Sequence, residues 1–147
     1  MAFAISSSAF EEGATVPKQF TCDGNDTPPP ITLSDPPEDA RSFAVIVDDP
    51  DAPKGTFTHC LAFDVPAKNG DLQVDAGKTL LNSFGREGYG GPCPPPGHGP
   101  HRYFFKVYAV DVASLPLAGD TRQDLEKALE THTLATAQLM GRYERAR

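Results

Sequence analysis

Asp49, Asp51, His59 and His101 are the residues of this sequence whose types could do chemistry together. A histidine beside a carboxylate is held in one tautomer by a hydrogen bond, and the carboxylate favours its imidazolium form. Two such imidazoles at the floor of a pocket present N–H donors to an incoming anion. Tyr103 follows His101 by two residues, shares its face in an extended strand and adds an O–H donor. The stretch 90–100 is rich in Gly and Pro, and its glycines would offer backbone N–H groups with no side chain in the way. Pro53 and Pro92 would form rigid apolar walls. A site of this make-up suits a small phosphate or carboxylate head group. His98 and His132 have no local partners in the sequence and are read as ordinary histidines outside the site.

Other chemistries fit less well. The histidines show no HxH or HxxxH spacing and the cysteines are poorly placed to join them, so no metal and no cofactor is expected. No GxSxG occurs, which argues against a serine hydrolase. Cys93 stands between two prolines, but nothing near it in sequence would lower its pKa enough to make it a nucleophile. The acidic run Asp48-Asp49-Pro50-Asp51 reads, taken alone, as a solvated turn.

The site needs elements that bring distant residues to one place. Ser42 to Val47 is β-branched and apolar on both faces, the pattern of a buried central strand. It should end at Asp48, where Asp48-Asp49-Pro50-Asp51-Ala52-Pro53 makes a loop at the strand mouth. Phe57 to Val65 is the next strand, with His59 on its more apolar face beside Phe57, Leu61, Phe63 and Val65. Ile31 to Leu33 is short enough for an edge strand, and Thr79 to Asn82 is a further short strand. The stretch 85–100 precedes a strongly patterned strand, Arg102 to Asp111, and so reads as a folded loop rather than a linker. Thr121 to His132 has helical spacing in Leu125, Ala128 and Leu129, and Thr121 with Asp124 resembles a capping box. From Ala135 to Glu144 the period falls to two, which predicts a last strand. If the strands leading to Asp49, His59 and His101 are neighbours, their side chains meet at one rim of a sheet.

Composition sets the class around this site. The chain has 147 residues, enough for one domain spanning 1–147 with its own core. Its 15 Pro and 13 Gly would disrupt a helical bundle and favour short strands joined by turns. The net charge is −7 and the 13 Lys and Arg are scattered, which excludes a nucleic-acid footprint and a polybasic membrane anchor. No apolar run approaches the roughly 18 residues that span a bilayer, and the first residues do not read as a signal peptide. The three cysteines, Cys22, Cys60 and Cys93, are odd in number and widely spaced. That pattern indicates free thiols in a reducing cytoplasm rather than a disulfide framework.

Asp49-Pro50-Asp51-Ala52-Pro53 with Thr58-His59, and then Gly91 through Tyr103 containing Gly97-His98-Gly99-Pro100-His101-Arg102-Tyr103, resemble the two signature blocks of the phosphatidylethanolamine-binding protein family. The likeness is to its short prokaryotic, Raf kinase inhibitor-like branch. Phe20-Thr21-Cys22-Asp23-Gly24 and Leu139-Met140-Gly141-Arg142-Tyr143 extend it over nearly the whole chain. The resemblance implies a mainly β fold, an antiparallel two-sheet β-sandwich with Greek-key connections, alongside the one late helix at 121–132. It also implies an anion pocket to which Asp49, Asp51, Pro53, His59, Pro92, His101 and Tyr103 correspond by position. It makes Ala52-Pro53 a candidate cis peptide. The chain departs from the pattern where family members carry Trp, at Phe57 and near Cys60. It also lacks the C-terminal helix of longer eukaryotic relatives, from which a more open site is expected.

The functional expectation is a non-enzymatic cytoplasmic protein that binds a small anion, a phospholipid head group or a phosphorylated or carboxylate group on a partner. One alternative is an inhibitor of a kinase or protease acting through protein–protein contact. Another is a weak phosphoester enzyme with His59 and His101 as acid and base. A homodimer is an oligomeric state open to it, with the Phe- and Tyr-rich strands supplying the contact patch.

Overall fold

The computed structural model describes residues 2–146. Its elements are β1 (Ala4–Ser6), β2 (Thr32–Ser34), β3 (Ser42–Asp49), β4 (Phe57–Val65), β5 (Ala67–Lys68), β6 (Asp71–Leu72), β7 (Lys78–Thr79), β8 (His101–Val110), α1 (Arg122–His132) and β9 (Thr133–Tyr143). The strands form two antiparallel sheets, a small one ordered β1-β2-β6-β5 and a larger one ordered β7-β4-β3-β8-β9.

The double-sided apolar pattern of β3 has a direct cause: the larger sheet is covered on both faces. Phe43, Val45 and Val47 pack with Phe105 and Val107 of β8 against Ile5, Leu33 and Leu72 of the small sheet. Ala44 and Ile46 face the other way, toward Leu125, Ala128 and Leu129 of α1. Burying each of those leucines contributes about 2 kcal/mol. The helix starts where the sequence places its cap. The Thr121 hydroxyl accepts from the Asp124 amide, and the Asp124 carboxylate accepts from the Thr121 amide. Its last residue passes directly into β9, whose alternating exposure matches the period of two.

Several expectations are corrected. β3 continues through Asp48 and Asp49, because Asp48 pairs with Phe104 and Asp49 with Phe57 and both carboxylates find partners. β2 has β1 on one side and β6 on the other, so it is not an edge. The short strand near 79–82 is Lys78–Thr79, and Leu80 turns into the core under α1. The peptide Ala52-Pro53 is trans. The chain reverses there through an Asp51 amide donating to Asp49 Oδ1 and through Gly55 at φ +105°.

The cysteine reading is also overturned. Cys22 and Cys93 form a disulfide, and Cys60 is free and buried. The loop 85–100 folds back over the segment around Cys22: the Gly91 amide donates to Asp26 Oδ1 and the Cys22 amide to the Pro92 carbonyl. The disulfide they support joins residues 71 positions apart, which linear spacing does not reveal. The inference of a reducing compartment from free thiols loses its basis with this bond. No helix among the described residues is long and apolar enough to cross a membrane.

Candidate functional site

β4, β3 and β8 are adjacent, so the end of β3, the start of β4 and the start of β8 meet at one rim. A cavity of about 180 Å³ opens there, lined by Asp49, Ala52, Pro53, Phe57, His59, Phe84, Cys93, Pro94, Pro95, His101 and Tyr103. That is smaller than a site for a drug-sized molecule and fits a compact head group. A larger depression of about 360 Å³ between Pro28–Pro30 and Leu72–Ala76 contains no histidine and no convergent donors.

Five of the seven expected residues line the rim cavity. His101 Nδ1 lies 2.6 Å from Asp49 Oδ2, both side chains being almost wholly buried. The His59 and Tyr103 rings meet edge to face, 5.2 Å between centroids. Pro53 supplies part of the wall as expected.

The other two are elsewhere. Asp51 points away from the cavity and takes the Arg102 amide together with both arms of its guanidinium, at 2.8–2.9 Å. The Arg102 hydrogen bonds lower the Asp51 pKa to about 2. Asp51 therefore ties the β3–β4 loop to β8. Pro92 is buried behind the wall, where its carbonyl receives the Cys22 amide. Three of the four expected glycine donors are also committed: Gly90 N–H to the His59 carbonyl, Gly91 N–H to Asp26 and Gly97 N–H to the Arg145 carbonyl.

The histidines are not the matched pair that the sequence suggests. His59 Nδ1 is 2.7 Å from the Gly90 carbonyl, and a carbonyl only accepts, so this nitrogen carries the proton. Burial pushes the His59 pKa down, against the Gly90 carbonyl and the Asp49 charge. His59 therefore presents a neutral ring to the cavity. His98, read as unpartnered, places Nδ1 2.6 Å from His101 Nε2. His132, also read as unpartnered, holds Asp111 at 2.8 Å near the other end of the sheet. The Tyr103 hydroxyl is buried without a hydrogen-bond partner. Burial, reinforced by the Asp49 carboxylate, raises its pKa well above the ordinary phenol value.

Sequence reasoning missed Phe84, Pro94 and Pro95 as walls. Phe84 packs edge to face on both Phe57 and His59, at 4.7 and 5.3 Å. Nothing in its own neighbourhood marked it, since it arrives from a loop after β7. His98 carried a signal, its place three residues before His101 in a Gly-rich turn. Among the described residues, no group of three or more His, Cys, Asp or Glu is arranged to hold a metal ion.

A two-sheet antiparallel fold with a His- and Tyr-lined cavity at the mouth of its central strands defines the class. The model of the phosphatidylethanolamine-binding protein family matches residues 6–144, and the chain belongs to that family. It is 47% identical to a UPF0098 protein of Aquifex aeolicus, over 96% of this chain and 88% of that one. A UPF0098 protein of Pyrococcus abyssi is 44% identical over 95% of this chain and 84% of its own length. Two solved structures share the fold closely. A phosphatidylethanolamine-binding protein homologue from Chlamydia trachomatis superposes with a TM-score of 0.86 at 36% identity, covering 98% of each chain. YbcL of E. coli, described as a member of the mammalian family, gives 0.84 at 33% identity, covering 98% of this chain and 99% of its own.

Proposed function

We propose that this chain is a non-catalytic binding protein whose rim cavity takes a small oxyanion, a phosphate or the phosphoryl part of a head group. The observation that carries this reading is the Tyr103 hydroxyl, buried with no partner in a cavity it shares with the Asp49–His101 pair. A buried hydroxyl left unpaired costs on the order of 1–3 kcal/mol, which a bound oxygen would recover. The family's name points to the same ligand chemistry.

The surroundings favour binding over turnover. In a nucleophilic triad the outer nitrogen of the histidine faces a hydroxyl or thiol. Here the outer nitrogen of His101 faces His98. The free thiol, Cys60, is buried and its pKa is pushed up to about 12, while Cys93 at the cavity wall is bonded to Cys22. No activated nucleophile adjoins the cavity among the described residues.

The test is a titration with inorganic phosphate and with phosphoethanolamine, following imidazole ¹⁵N and ring ¹H signals. His59, His101 and Tyr103 should shift together with saturation, and Tyr103→Phe should weaken binding roughly tenfold. No shift at either histidine up to millimolar ligand would remove this reading.

A further inference from the structure

β9 is an edge of the larger sheet, and part of that edge is bare. In an antiparallel ladder every second residue turns its backbone N–H and C=O away from the paired neighbour. Arg142 and Met140 belong to that set. The Arg142 amide donates to the Ala14 carbonyl, the Arg142 carbonyl accepts from Val16, and the Met140 carbonyl accepts from Gly13. The Glu12 carboxylate takes the Met140 amide. Gln138 and Thr136 come next in the set. Both are exposed, and among the described residues nothing bonds their outward amides and carbonyls. A bulge, with Leu134 as the extra residue between Thr133 and Ala135, closes the bare stretch at its other end. The remaining sheet edges, β1, β5 and β7, are only two or three residues long.

We infer that residues 135–139 are a contact between two copies of this chain, paired antiparallel about a two-fold axis at Ala137. This register sets Thr136 opposite Gln138 of the second copy, and Gln138 opposite its Thr136. Each pair exchanges two N–H···O bonds, and the Thr hydroxyl and Gln amide lie side by side on one face. The window permits no other register. A shift of two residues sets Thr136 against Met140, whose amide is already bonded, or Gln138 against Leu134 at the bulge. Charge favours a second copy as the occupant. The chain carries −7, so two copies repel, yet residues 133–141 include no charged side chain and bring no like charges together here. Residues 135–139 also lack the Lys and Pro that commonly keep sheet edges apart. The two-fold pairing covers both bare edges at once and closes, joining two five-stranded sheets into one of ten strands. So short a contact makes a weak dimer, with a dissociation constant of roughly micromolar order or weaker. The Phe- and Tyr-rich strand β8, expected to supply the patch, is interior to the sheet, and its neighbour β9 takes that role. Thr136 and Gln138 lie opposite Tyr108 and Lys106, about 20 Å along β8 from His101, so pairing leaves both rim cavities open.

Sedimentation equilibrium of the full chain, from micromolar to millimolar concentration, should show a reversible shift from the 15.7 kDa monomer to twice that mass. Amide exchange at Thr136 and Gln138 should slow as the dimer forms, while the Met140 amide, already bonded, keeps its rate. Thr136→Lys/Gln138→Lys sets like charges opposite each other and should weaken the dimer at least tenfold. Thr136→Glu/Gln138→Glu should do the same, and an equimolar mixture of the two variants should restore a dimer containing one copy of each. A monomer at every concentration overturns the proposal and leaves the edge to an extended segment of some other protein. A dimer in which the Thr136 and Gln138 amides exchange as fast as in the monomer, or one undiminished in both double variants, overturns it by placing the contact elsewhere. Should the variants fail to fold, the exchange rates of the wild type decide alone. Phosphate titration of the Lys variant is independent of this outcome, since the cavity residues are untouched.

Discussion

His98 covers the outer nitrogen of His101: its Nδ1 sits 2.6 Å from His101 Nε2, while His101 Nδ1 bonds Asp49. One proton serves that N···N contact, so the two rings cannot both present an N–H to it. A ligand that approaches His101 must displace His98, which is exposed on the Gly97–Gly99 turn and can swing away.

Removing that competitor should therefore improve the site. His98→Ala is expected to raise phosphate affinity roughly fivefold, the equivalent of about one neutral hydrogen bond. Calorimetry at fixed pH reads this directly. A weaker site in His98→Ala would mean that the ring turns inward to hold the ligand.

Asp48 makes a second prediction, this one for stability. Its carboxylate is buried under the start of α1, where Arg122 grips both oxygens at 2.6 and 2.8 Å and reaches the Thr58 hydroxyl at 2.8 Å. Lys106 stands further off at 3.7 Å. Arg122→Met strands the buried carboxylate and should cost about 3 kcal/mol in urea unfolding. Adding Asp48→Asn should restore much of the loss, since the stranded charge goes with it. If the double variant is no more stable than Arg122→Met alone, the loss comes from helix packing rather than from the unpaired carboxylate.

The same residue shows where sequence reading reaches its limit. The bounds of β4 and α1 follow from periodicity and from the Thr121 cap, because these are local properties of side-chain spacing, whereas β9 runs from Thr133 to Tyr143, starting two residues before and ending one residue before the alternating stretch Ala135 to Glu144. The approach of Asp49, His59, His101 and Tyr103 was legible too, since the three central strands could be recognised and each carries one or two of these groups near its mouth. Asp48 looked like part of a solvated turn because its counter-charge lies 74 residues away on a helix. The Cys22–Cys93 bond and the Phe84 wall were hidden for the same reason. Both depend on how a turn-rich loop lies over the rim of the larger sheet, which neither hydrophobic period nor propensity encodes. The glycine amides were misjudged because their availability depends on what the rest of the chain has already bonded.

Asp51 gives a pH dependence whose sign can be worked out. In the folded protein it ionises at about 2, held down by Arg102, against 3.8 for the free side chain. The unfolded chain therefore binds this proton more readily than the folded one. The stabilisation from Asp51 is complete above about pH 4 and is lost as pH falls through 2. Thermal melts of the wild type and of Asp51→Asn should differ at pH 6 and converge by about pH 2. A gap that persists at the acid end would assign the effect to loop geometry rather than to the carboxylate charge.

The disulfide couples stability to the cavity. It closes a loop spanning 71 positions, and chain entropy alone makes that worth about 4 kcal/mol. For a chain of this size the loss should lower the melting temperature by roughly 10 °C. Cys93 also lines the cavity, while Cys22 anchors it to the segment that carries the Phe20 carbonyl bonded by Tyr89. Reduction should therefore weaken phosphate binding as well as lower the melting point, and Cys22→Ala/Cys93→Ala should match the reduced protein in both. If reduction lowers the melting temperature but leaves phosphate affinity unchanged, the wall is held in place by the Gly91–Asp26 and Cys22–Pro92 backbone bonds, and the disulfide acts only on the unfolded chain.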